Sequence, residues 1–407
     1  MCLAGEKESG EDIYREALEL HREHRGKIET RVKVPLSTRN DLSRAYSPGV
    51  AAVCRGIRTY PMSAYRLTMK GNAIAIVTDG SAVLGLGNIG GLAAVPVMEG
   101  KAAIFREFAG IDAYPVCFDT YFPGITDAIR HIAPAFGGIN LEDIAAPHCF
   151  QIEDDLQDIG IPVMHDDQHG TAITVLAALI NACRVTGKEF ADLRIVISGA
   201  GAAGYAIARI LRCIGYSADL CDMVGDIIVC DRQGIIHRKR AGLYRNKYKF
   251  ILASDTNRAG MTGTLADAVE GADVFIGVSA PALLTEAMIQ TMNDNPIVFA
   301  MANPVPEIWP EAARQGGARI VGTGRSDYPN QINNALAFPG VFRGALDASA
   351  TGISDEMKVA AAEALARYHT HPTEEDLMPS VLDRGLVQAV AAAVREAAFA
   401  SGCGREV

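Results

Sequence analysis

The stretch Ala191-Asp192-Leu193-Arg194-Ile195-Val196-Ile197-Ser198-Gly199-Ala200-Gly201-Ala202-Ala203-Gly204 decides the reading of this chain. Its apolar part predicts a strand, its glycines a tight turn, and Tyr205 to Arg212 a helix that begins at once. Gly199 permits the turn, Gly201 lets a ligand approach the backbone with no side chain between, and Gly204 lets helix and strand pack closely. The free amides of the first turn, Ala202 and Ala203 among them, then face an anion. A second predicted strand, Ile227 to Cys230, closes on Asp231 and completes a βαβ unit. That context separates a dinucleotide pyrophosphate site from a glycine-rich turn with no ligand. Asp231 suits the ribose hydroxyls of NAD, and Arg232 beside it suits the 2′-phosphate of NADP, so both cofactors stay open.

Outward from this unit, strands alternate with helices in both directions. Ala73 to Val77, Ala113 to Phe118, Gly138 to Ile144 and Ile161 to Met164 read as strands before it. After it come Val274 to Val278, Ile297 to Ala300 and Ile320 to Val321. Helices are expected at Ile13 to Arg25, Ile125 to Ala135, His148 to Ile159, Gly170 to Val185 and Leu283 to Met292, and from about Glu356 and Leu386 onward. The expectation is an α/β chain of two domains: residues 1–168 with a parallel sheet, and 169–407 with a Rossmann-type dinucleotide-binding sheet and closing helices.

With 38 basic and 48 acidic side chains the net charge is -10, and no stripe concentrates the basic ones. Nucleic acid and an anionic membrane surface are thereby disfavoured as partners. Nine scattered cysteines without a C-x-x-C pair argue against a disulfide framework or a structural zinc site and for a reducing cytoplasm. The acidic start, with Glu6, Lys7, Glu8, Glu11 and Asp12, lacks the apolar core of a secretory signal.

Chemistry-bearing residues gather at the predicted strand exits, where ligands bind in such sheets. Glu142-Asp143 and Asp166-Asp167 are two such pairs, and three converging carboxylates suit a hard cation such as magnesium or manganese. His165 and His169 raise a zinc alternative that lacks a third soft ligand. Glu153-Asp154-Asp155 falls inside a predicted helix and reads as a solvated face. Lys101 lies among small apolar neighbours, where desolvation lowers an amine toward a base, although most helical lysines only reach for solvent. Tyr46, before a Ser-Pro-Gly turn, is by itself a surface or packing tyrosine.

Several segments together resemble the malic enzymes, in the short form found in prokaryotes. They are Ala45-Tyr46-Ser47-Pro48-Gly49-Val50-Ala51, VTDGSAVLGLGNIG from Val77, PVMEGKAAIFREFAGID from Pro96, INLEDIAAPHCF from Ile139, HDDQHGTA from His165, ISGAGAAG from Ile197, AMANPVPE from Ala300 and GTGRSDYPNQINNALAFPG from Gly322. The resemblance implies a metal-dependent oxidative decarboxylation of L-malate to pyruvate and carbon dioxide with reduction of NAD or NADP, with oxaloacetate decarboxylation beside it, in a homodimer or higher oligomer. It implies Tyr46 as general acid, Lys101 as general base, and Glu142, Asp143 and Asp167 as metal ligands. It further implies Asp166 as a partner orienting lysine or substrate, and Asn303 and Asn334 as amides on the malate and nicotinamide side. Two positions depart from the family: Ser81 and Ala82 stand where larger members carry a carboxylate-gripping arginine, and Gly91 stands where relatives carry proline. Without the resemblance, a metal-free two-domain dehydrogenase and a nucleotide sensor without turnover remain as rivals.

Overall fold

The computed structural model describes residues 10–83, 85–213 and 223–406; Glu6, Lys7, Glu8 and Leu84 lie outside them. Two sheets organise the chain. The first has four parallel strands, β1 (Ala73–Thr78), β2 (Asp112–Cys117), β3 (Gly138–Leu141) and β4 (Val163–His165), in the order β2-β1-β3-β4. The run Ala-Ile-Ala-Ile-Val-Thr of β1 is buried on both faces, as expected of a central parallel strand.

The second sheet contains β5 (Arg194–Ser198), β6 (Asp226–Asp231), β7 (Gly234–Ile235), β8 (Val274–Gly277), β9 (Ile297–Ala300) and β10 (Ile320–Thr323). Their order, β10-β9-β8-β5-β6-β7, is the doubly wound arrangement of a dinucleotide-binding sheet. All pairs are parallel except β6 with β7, a hairpin that the sequence reading did not anticipate.

Several predicted boundaries move, among them the helix over His148 to Ile159, which ends at Asp155. The strand expected to reach Ile144 stops at Leu141, which leaves Glu142 and Asp143 just beyond the sheet. The helix expected from Gly170 runs Asp166–Thr186, so Asp166 and Asp167 belong to its first turn, where carboxylates complement the helix dipole. The helix expected over Leu283 to Met292 contracts to Glu286–Ile289, started by the Thr285 cap.

The C-terminal helices Phe338–Asp347, Asp355–Tyr368 and Arg384–Ala400 follow β10 in sequence, yet the first of them packs on the first sheet's helix Gly90–Ala109. Phe338 and Phe342 place their rings 4.7 and 5.5 Å from that of Phe105. One apolar core consequently runs from Ile74 of β1 through Ile195 of β5 to Val394, and a smaller cluster around Val196 and Phe275 fills the far face of the second sheet. Among the described residues, Cys54, Cys117, Cys149, Cys183, Cys230 and Cys403 are free thiols, whereas Cys213 is disulfide-bonded. No helix among the described residues is long and apolar enough to cross a membrane.

Candidate active site

The nucleotide turn forms as its glycines require. Gly199 adopts φ +125, and a Cβ there would stand 2.6 Å from the Val278 carbonyl oxygen. A Cβ on Gly204 would meet the Gly199 carbonyl oxygen at 1.9 Å, whereas one on Gly201 would meet nothing within 4 Å. Gly201 therefore faces open space at the start of the helix Ala202–Leu211, which has no side-chain cap to satisfy its first amides. A pyrophosphate fits that cradle. The exits of the two sheets also approach each other: a Cβ on Gly85 would come within 2.7 Å of the Asn303 carbonyl oxygen beyond β9.

At the strand exits of the first sheet a buried amine meets carboxylates. Lys101, on the Gly90–Ala109 helix, is 8% exposed; its Nζ donates to Asp166 Oδ2, lies 2.8 Å from Glu142 Oε1 and stands 4.0 Å from the centroid of the Phe338 ring. Burial alone would lower the amine, but the charges of Asp166 and Glu142 outweigh it and hold the ammonium above its ordinary range. Asn334 Nδ2 donates to the same Asp166 oxygen at 2.5 Å, and Asn140 Nδ2 donates to Glu142 Oε2 at 2.8 Å. Gly170, one turn after Asp166, makes room for this carboxylate, since a Cβ there would lie 1.9 Å from Asp166 Oδ1.

Glu142, Asp143 and Asp167 each bring a carboxylate oxygen within 4.8 Å of the others, and the Asp143 amide donates to Asp167 Oδ2 at 2.9 Å. Asp143 reaches this place through a left-handed backbone, φ 54. Burial raises Glu142 to about 7 and Asp167 to about 6, despite the nearby Lys101; Asp166, also buried, rises to about 6. Three oxygen donors crowding their charge fit a divalent hard cation, which would offset that repulsion. The histidines are not part of the group: His169 bonds Glu153 at 3.1 Å, and His165 is fully buried with Nδ1 3.9 Å from Asp167 Oδ2.

The sequence reading of Glu153 as part of a solvated helix face does not hold. Its carboxylate is buried and accepts from the His165 amide at 3.0 Å, Gln168 Nε2 at 2.9 Å and the His169 ring. It thus braces the turn from β4 into the helix that carries Asp166 and Asp167. Phe338 and Asn140, uncharged members of two of the quoted segments, join the site by touching Lys101 and Glu142 respectively, and Phe338 also packs on Phe105. Tyr46 ends the helix Arg39–Ala45, is 74% exposed, and its hydroxyl makes no hydrogen bond among the described residues. Ser81, one of the two residues in the arginine's place, is buried and structural: its Oγ donates to Asp79 Oδ1 at 2.5 Å and accepts the Ala145 amide at 2.8 Å. At Gly91 a Cβ would lie 2.1 Å from the Phe118 carbonyl oxygen.

Two family models match the chain, the N-terminal domain of malic enzyme over residues 25–123 and its NAD-binding domain over residues 168–399. The chain is 52% identical over 385 residues to an NAD-dependent malic enzyme of Geobacillus stearothermophilus, covering 94% of this chain and 78% of that one. It is 50% identical over 394 residues to a bifunctional malic/malolactic enzyme of Bacillus subtilis, covering 96% and 94%. The crystal structure of an NAD-dependent malic enzyme from Thermotoga maritima superposes with a TM-score of 0.88 at 45% identity, covering 93% of this chain and 98% of that one. With both family models and full-length relatives in agreement with the fold and the cleft, the chain belongs to the malic enzyme family.

Proposed function

We propose that this chain performs its family's reaction, the oxidative decarboxylation of L-malate to pyruvate and carbon dioxide with reduction of NAD or NADP, through the groups gathered around Lys101, and that it also decarboxylates oxaloacetate. The observation that carries the assignment of roles is the buried Lys101 ammonium held between Asp166 and Glu142, next to a trio of carboxylates. Lys101 is the base: it takes the substrate hydroxyl proton as the C2 hydride departs, and Asp166, bonded to it, orients it. Asn334 braces Asp166 and, with Asn303, presents amide groups to the substrate side of the cleft. Tyr46, with an unengaged phenol, is the acid that protonates the methylene carbon left by loss of carbon dioxide. Glu142, Asp143 and Asp167 hold magnesium or manganese, which when bound supplies Lewis acidity toward substrate oxygens and offsets the anionic charge that keeps Lys101 protonated.

Residues 1–168 form the unit bearing the acid, base and metal ligands, and 169–407 the nucleotide unit with its closing helices. The cofactor contacts are Gly199, Gly201, Ala202, Ala203 and Gly204, together with Asn303 and the turn beyond β6 that Asp231 opens. The chain works in the cytoplasm as a homodimer or larger assembly. The exposed apolar residues Ile13, Leu18, Val32, Val34 and Leu42 of its N-terminal segment support an oligomer.

Malate-dependent formation of NADH and NADPH, followed with manganese and after chelation, tests the reaction and its metal together. Lys101→Ala should slow oxidation by at least about a hundredfold. Unchanged turnover in that variant, or full activity after exhaustive chelation, would end the assignment.

A further inference from the structure

Strand β6 delivers Asp231 to the place where a doubly wound sheet recognises the adenosine ribose. An aspartate there selects NAD in two ways, by accepting the ribose hydroxyls and by repelling a 2′-phosphate. In this chain the carboxylate is held from within by three nitrogen donors. Oδ1 accepts the Gln233 amide at 2.9 Å and Arg240 Nη2 at 2.7 Å. Oδ2 accepts Arg240 Nη2 at 2.7 Å and Lys249 Nζ at 2.6 Å. Three nitrogen donors, the Gln233 amide, Arg240 Nη2 shared between both oxygens and Lys249 Nζ, thus occupy most of the about four lone-pair sites a ribose hydroxyl would need. The side chain is 9% exposed, and two cations stand against its single negative charge. The next residue, Arg232, is at the tip of the β6–β7 hairpin, exposed, and without a hydrogen bond or ion pair among the described residues.

We propose that Asp231 is an anchor for the hairpin rather than a ribose ligand, and that this chain accepts a 2′-phosphorylated dinucleotide, NADP, with Arg232 as the cation that meets the phosphate. Arg240 and Lys249 remove the repulsion that would otherwise exclude the dianion. Arg240 is itself fixed by Gln233 Oε1 at 2.7 Å, so its charge stays with Asp231. Arg232, with no partner among the described residues, has its whole guanidinium left to donate to a ligand, while Lys249 Nζ beside it spends one of its three N–H groups on Asp231. Only the turnover arm of the test rests on the malate-oxidising reading; the nucleotide-binding arm does not.

Calorimetric titration of the full-length protein with 2′,5′-ADP and with 5′-AMP isolates the 2′-phosphate without any turnover. The expected result is at least about tenfold tighter binding of 2′,5′-ADP, the effect of a charge-assisted contact. Arg232→Gln should shrink that ratio at least about fivefold, and Arg232→Lys should restore most of it. In the turnover arm, kcat/KM with NADP should equal or exceed that with NAD, and Arg232→Gln should tilt the ratio toward NAD. Equal binding of the two nucleotides, or an Arg232→Gln variant that weakens both alike, overturns the inference. If malate is not oxidised but the nucleotide ratio holds, the malate reading fails and the inference stands; oxidation with NAD alone has the opposite meaning.

Discussion

The residue with the most consequence outside the reacting groups is Glu153. Removing its carboxylate would strand the His165 amide and the Gln168 and His169 side chains without their acceptor in a buried place. Such losses cost about 1–3 kcal/mol per unsatisfied group. Glu153→Ala should therefore lower the midpoint of thermal unfolding by several degrees and weaken manganese affinity, while Glu153→Gln, which keeps the shape and one acceptor oxygen but turns an NH2 toward donors on the other side, should recover only part of both. Equal stability of Glu153→Ala and the parent would show that the brace is dispensable. This residue was illegible in sequence because a glutamate followed by two aspartates in a helix looks the same whether the helix lies on a surface or with one side chain turned inward. Lys101 poses the same difficulty, since only the opposing Asp166 and Glu142, 65 and 41 positions away, set its charge.

At the scale of elements, the turn between β5 and the Ala202–Leu211 helix separates two glycines that a motif treats alike. Gly201 has φ -88 and open space at its Cβ position, so Gly201→Ala should fold normally and bind NAD and NADP more weakly by titration. Gly204→Ala should instead destabilise the protein by about 1–3 kcal/mol, because its Cβ collides with backbone. Reversal of these two phenotypes would reassign the phosphate cradle. The β3 exit and the first turn of the Asp166–Thr186 helix make a pH-dependent pair. Glu142, Asp166 and Asp167 are raised to about 7, 6 and 6 by burial, so the folded apo chain binds more protons than the unfolded one between about pH 4 and 7. Stability contributed by this cluster is accordingly lost as pH rises through that window, and a divalent cation restores it by displacing the protons. The rise in thermal midpoint on adding manganese should be larger at pH 8 than at pH 5.5, and Glu142→Gln should flatten the difference. An equal rise at both pH values would contradict the crowding of charge.

Across the whole molecule, the C-terminal helices tie the two sheets into one core. Arg343 Nη1 donates to Asn72 Oδ1 at 2.7 Å, and Arg405 Nη2 donates to Tyr65 Oη at 3.0 Å and the Gly160 carbonyl at 3.2 Å, all on the first sheet's side. Because the apolar cluster is continuous across both sheets, unfolding should be a single cooperative transition. Phe342→Ala should cost about 3–5 kcal/mol and shift that transition as a unit. Two separated calorimetric transitions, with only the first-sheet part sensitive to Phe342→Ala, would show that the sheets unfold independently.

Local pattern by itself determined the parallel strands, the nucleotide turn and the two-sheet α/β class, because apolar runs and glycine spacing act within a few residues of chain. It also named the acidic pairs, since a strand exit is marked by its own composition. What only the tertiary structure decided is where helix and strand end around those pairs, which carboxylates share Lys101, and that Asp231 is already satisfied by Arg240 and Lys249. These depend on segments distant in sequence meeting in a poorly hydrated interior, where burial and opposing charge together set the state of each group.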